Sequence, residues 1–175
     1  MKTKISILIL GIVLAIGLLS CEYTGTYIND GIYIKLIDSN GNNLLDNKNP
    51  NAFNIDSIKI YRLLANGDII AAEDDYNIPM NAFKGFNIAD SEMHLHITNP
   101  TTKHQELMIS KASNVTVYIH WDSQDIDTVY STIYHHRGIH IVDEVYYNGK
   151  QVLESHKKRG GIYNSLNRIT IVKNK

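Results

Sequence analysis

Histidines at alternate positions are the first residues here that could do chemistry. His94-x-His96 puts two imidazoles on one face of a strand, roughly 7 Å apart at a rise of about 3.3 Å per residue. His120 sits in the outward phase of a later segment, and His135, His136 and His140 gather around Gly138. A zinc ion needs three or four ligands converging at about 2 Å, which makes His94, His96 and His120 the triad to look for. The plainer account is that these histidines fill the polar slots of amphipathic strands.

A second candidate lies in the run from Asp38 to Asp46. Asp38, Asn40, Asn42 and Asp46 place oxygen atoms in a tight polar loop, as a hard calcium ion requires. Against calcium, Asn43 stands where an EF-hand loop has glycine and Asn49 where it has a bidentate glutamate. The alternative is a turn at Asn40-Gly41, with Asp and Asn side chains capping backbone N–H groups. No other cofactor is indicated.

Catalysis has thinner support. Asp122, Asp125 and Asp127 follow Trp121 closely, which is material for a paired-carboxylate cleft acting on sugars. The competing reading is a solvated acidic loop between two strands. No Gly-x-Ser-x-Gly elbow, His-Glu-x-x-His or glycine-rich phosphate loop occurs. The basic run Lys157-Lys158-Arg159 between glycines is too short for a nucleic-acid surface. A net charge of −1 gives no other reason to expect one.

Aromatic composition points elsewhere. Eleven tyrosines stand against three phenylalanines and one tryptophan. Tyr33, Tyr61, Tyr118, Tyr130 and Tyr134 all fall in outward phase. A sheet face bearing such amphipathic rings can bind a glycan or an envelope protein. Tyrosine is also simply a good strand former.

The elements that must position these residues are strands. Period-2 alternation runs through residues 32–37, 57–61, 93–97, 115–121, 139–141 and 169–171, the pattern of sheets with one buried and one wet face. Asn66-Gly67 and Asn148-Gly149 each separate two such runs, as type I′ hairpin turns do. Residues 78–89 contain Pro79 and Gly85 and read as a long connection with at most one helical turn. The expectation is an all-β antiparallel β-sandwich, immunoglobulin-like in type, with a small antiparallel barrel as the alternative.

Before these strands comes an export signal. Lys2 and Lys4 precede an apolar run over residues 5–19, and Ser20 precedes Cys21, the only cysteine. The run falls short of the roughly 20 residues a membrane-spanning helix needs. It resembles a bacterial lipoprotein signal, in which cleavage exposes the cysteine and its thiol is acylated, with palmitate among the usual chains. The expected division is a signal peptide over 1–20, a tether over 21–30 and the sandwich over 31–175. With Cys21 acylated no thiol remains for a disulfide or a thiolate metal site.

The segments Gly41-Asn42-Asn43-Leu44-Leu45-Asp46 and Asn54-Ile55-Asp56-Ser57-Ile58-Lys59-Ile60-Tyr61, with the turn at Asn66-Gly67, are similar to lipoproteins of Bacteroidetes bacteria. Asp125-Ile126-Asp127-Thr128 and Asn148-Gly149-Lys150 fit the same resemblance. It implies an exported, sandwich-like domain in the cell envelope, lipid-anchored to the outer membrane on its periplasmic or surface face. In that group an acidic cluster after the cysteine marks surface export, and this chain has a single Glu22. The resemblance carries no catalytic residues. The expected function is a non-enzymatic binding or structural module, against a metal-dependent envelope enzyme or a calcium-stiffened scaffold.

Overall fold

The computed structural model describes residues 27–29, 31–74, 84–97, 111–136, 139–155, 158 and 167–174. Residues 1–20, expected to be a signal peptide, Cys21 and most of the basic loop at 157–161 lie outside the described residues. The chain is all-β, and two sheets pack face to face without closing into a barrel. Among the described residues no helix is long and apolar enough to cross a membrane.

Among the described residues eleven strands run in chain order: β1 (Tyr27–Asn29), β2 (Gly31–Ile37), β3 (Lys59–Leu63), β4 (Ile69–Ala71), β5 (Phe86–Ala89), β6 (Glu92–His96), β7 (Lys111–His120), β8 (Ile126–His136), β9 (Ile139–Tyr147), β10 (Lys150–Leu153) and β11 (Arg168–Val172). The larger sheet has seven strands, ordered β1-β9-β8-β7-β3-β4, with β10 also pairing β9. The smaller sheet is β11-β2-β6-β5. Most pairs are antiparallel, but β1 runs parallel to β9 and β11 parallel to β2. Residues 21–30 are therefore not all tether, because Tyr27–Asn29 forms a strand.

Alternation places the core as the sequence requires. Ile32, Ile34 and Leu36 of β2 are fully buried, as are Met93 and Leu95 of β6. From the facing sheet, Val117, Ile119, Val129, Ile133 and Val145 pack against them. The loop after β2 closes one end by sending in Leu44, Leu45 and Phe53, with Phe53 tilted against Trp121 at 5.3 Å between centroids. Burying each such side chain stabilises the fold by about 1.5–3 kcal/mol. A charged group intrudes from β3: Arg62 sits in inward phase, 1 % exposed, and donates from Nη2 to the His96 carbonyl of the opposite sheet at 2.7 Å.

The two Asn-Gly turns differ. At Asn148-Gly149 both residues have positive φ, 49° and 79°, and Tyr147 pairs with Lys150. That is the expected two-residue I′ turn. At Asn66-Gly67 only Gly67 is left-handed, at φ 90°. There the Leu64 N–H bonds the Asp68 carbonyl and the Gly67 N–H bonds the Leu64 carbonyl. This is a three-residue loop whose glycine makes a bulge, because Leu63 pairs with Ile69 and leaves room for one residue more. The expectation for 78–89 also changes. Residues 75–83 lie outside the described set, but Phe86–Ala89 is strand β5, turned onto β6 through Asp90 and Ser91, both at positive φ.

Candidate functional site

The outer face of the seven-stranded sheet collects the tyrosines. Tyr61 on β3 pairs directly with Tyr118 on β7, and Tyr130 on β8 pairs with Tyr146 on β9. All four are half-buried, the state of rings that rest on a sheet with one side open. Tyr130 and Tyr146 meet edge to face at 5.8 Å. The Tyr146 hydroxyl donates to Glu144 at 3.2 Å, and burial together with that carboxylate pushes its pKa up. Tyr134 continues the same face further along β8. Tyr33 does not belong to it: it lies on β2, in the other sheet. Tyr146 was missed in the sequence, although its alternation with buried Val145 and Tyr147 was the signal that could have found it.

A shallow hollow of about 70 Å³ opens at one end of this face, lined by Tyr61 and Ala71 with Asp56, Lys59, Glu73 and Lys84. Lys84 pairs with Asp56 at 3.3 Å on its rim. His120 covers the other side of Tyr61, at 4.6 Å between centroids.

The acidic group after Trp121 is not a solvated loop throughout. Asp122 is exposed and spends Oδ1 on the N–H groups of Gln124 and Asp125. Asp127 points inward and is 5 % exposed. Its Oδ2 accepts from Trp121 Nε1 at 2.6 Å, from the Tyr147 hydroxyl and from Lys173 Nζ at 2.5 Å, while Oδ1 accepts from Asn148 Nδ2 at 2.6 Å. Burial alone would raise this carboxyl, but the donors outweigh it and hold the pKa below the usual carboxylate value. Burial and the same hydrogen bond push the Tyr147 hydroxyl strongly upward. Lys173, just past β11, also bonds Asp125 and lies 5.4 Å from the Trp121 ring centre and 5.8 Å from that of Phe53. Nothing in the sequence near Lys173 announces this role.

The histidines do not form the expected triad. His94 and His96 lie together on the outer face of the four-stranded sheet, 4.4 Å between centroids, whereas His120 is on the seven-stranded sheet beside Tyr61. The two sheets turn their inner faces to each other, so the outward histidines point apart. His94 stacks flat on Tyr33 at 4.4 Å and occupies the space a Cβ on Gly31 would need, 1.9 Å from its Nε2. His96 is 7 % exposed, and burial, then His94 and Arg62, bring its pKa down to about 4. His135 on β8 pairs with His140 on β9. Among the described residues no group of three or more His, Cys, Asp or Glu is placed to hold a metal ion.

The calcium-like loop resolves as a capped turn. Asp38 Oδ1 accepts from the N–H groups of Asn40 and Asn42, and Oδ2 from Asn42 Nδ2. The Asn42 amide leads, with the backbone donors helping, in drawing the Asp38 pKa down against burial. Asp46 accepts from the Lys48 N–H. Asp38 and Asn42 thus face each other, Asn40 contributes its backbone, and Asp46 serves a separate turn, so the four do not converge on a common centre. No family model, curated protein or solved structure matches the chain.

Proposed function

We propose that this chain is a lipid-anchored, non-enzymatic binding module of the cell envelope whose tyrosine face takes a glycan. The observation that carries this reading is the placement of Tyr61, Tyr118, Tyr130 and Tyr146 on one sheet face, paired across neighbouring strands and half-open. The nearest members of the two pairs, Tyr118 and Tyr130, are one strand and two residues apart, roughly 8 Å at sheet spacings, so an extended chain of sugars can lie on both pairs. Sugar rings stack their C–H faces on aromatic rings, while hydroxyls need hydrogen-bonding groups at the edge. Asp56, Glu73, Lys59 and Lys84 around the hollow at Tyr61 supply those. Thr116 and Thr128 separate the tyrosine pairs with polar groups, which suits a polyhydroxylated ligand better than a dry protein contact. The anchor in this reading is acylated Cys21, supported by the apolar run before it and by Ser20 at the cut.

The test is a panel of soluble oligosaccharides titrated into the protein, followed by Tyr118→Ala and Tyr130→Ala. Each substitution is expected to weaken the best ligand about tenfold or more, the loss of one stacked ring, with the melting temperature little changed. Binding undiminished in the double variant, or no binding across the panel, rejects the reading. An envelope protein captured by the wild type and lost by the double variant would reassign the face to protein contact.

A further inference from the structure

We propose that Lys173 and Asp125 condense into an intramolecular amide cross-link, with Asp127 carrying the proton. Lys173 Nζ is held between the two carboxylates, its side chain 12 % exposed and its amine close to the rings of Trp121 and Phe53. The amine therefore has a carboxylate on either side, one placed to receive its proton and the other its electron pair. The two acids differ as the reaction requires. Asp127 is buried and fixed by Trp121, Tyr147 and Asn148, so it can take and return a proton without moving. Asp125 is the more open acid, its side chain 35 % exposed, and its backbone is pinned in a tight loop. Its carbonyl accepts from the Trp121 N–H at 2.9 Å, and its own N–H donates to Asp122. Both partners are therefore held at contact before any chemistry, and such pre-positioning is worth effective concentrations of about 10⁵ M or more.

The step balances without a co-reactant. The Lys173 ammonium gives one proton to Asp127, and the freed electron pair on Nζ attacks Cγ of Asp125 in its acid form. The N–C bond forms, the C–OH bond breaks, and Asp127 returns its proton to the departing hydroxyl, which leaves as water; Asp127 then takes the second proton from Nζ and ends in its acid form. The product is a neutral amide joining the end of β11, in the smaller sheet, to the loop entering β8, in the larger. The chain has one cysteine, Cys21, so a disulfide within it cannot supply such a tie.

Peptide mapping of the purified folded full chain by mass spectrometry decides it. A branched pair joining the peptides that contain Asp125 and Lys173 is expected, lighter than their sum by one water. In Lys173→Arg, which keeps the positive charge but cannot condense in this way, both peptides should appear separately at full mass. Unlinked wild-type peptides from protein that has stood folded for days at neutral pH overturn the proposal. So does a water loss that persists in Lys173→Arg, which would mark a cyclised aspartate instead.

Discussion

Asp38 and Asp127 are both carboxylates filled by donors, and both have their pKa drawn below the usual value. Their partners come from different distances. Asp38 is served by residues two and four positions ahead, so its turn closes on itself and delivers Leu44 and Leu45 to the core. Asp127 is served by Trp121, Tyr147, Asn148 and Lys173, which reach it from three elements and from both sheets. One carboxylate organises a loop; the other ties the tertiary fold together. Two acids with the same direction of pKa shift therefore differ in what depends on them.

Three measurements would break or sharpen that contrast. Asp127→Ala is expected to cost about 3–5 kcal/mol in urea unfolding, because it leaves the buried donors of Trp121 and Tyr147 without their acceptor and the Lys173 ammonium without one of its carboxylates. A loss under 1 kcal/mol would place Asp127 with Asp38 as a local cap.

Acid comes next. His96, with its folded pKa near 4 against 6.5 when unfolded, binds fewer protons folded than unfolded in that interval. Stability should therefore fall as the pH drops from about 6.5 towards 4, by about 1–2 kcal/mol at pH 5 after allowing for partial solvent screening. His96→Gln should abolish that decline. The lowered carboxylates act in a separate window, contributing stability above their unfolded pKa of about 3.8 that disappears as the pH falls through their folded values. A wild-type stability that is flat from pH 7 to 4.5 would contradict the account of His96.

The smallest effect belongs to Asp38→Ala. A fall in melting temperature of a few degrees at most is expected, since water can reach the N–H groups it releases. A fall as large as that of Asp127→Ala would show that the loop, too, holds the sandwich together.

The same division explains what was legible in the sequence. Ile32, Ile34 and Leu36, or Val115, Val117 and Ile119, declare their buried face by alternation, and Asn148-Gly149 declares its turn by backbone preference. These are local properties. The hairpin between β5 and β6 was hidden because Asp90-Ser91 adopts the left-handed pair without a glycine. Asp127 read as solvated because the residues that desolvate it are up to 46 positions away. Arg62 drew no notice in the sequence, since its inward phase has meaning only once the His96 carbonyl faces it. The histidine triad failed for a related reason: outward phase on two strands says nothing about whether their sheets face the same way.

The parallel pairing of β11 with β2 sets the order in which the molecule can be completed. β2 is the second of the described strands to be made, yet one of its two neighbours is the last of them. Until then its flank stays unpaired and the carboxylate of Asp127 lacks its cation. Contacts so distant along the chain make for slow assembly, with the closing of the smaller sheet as a late event.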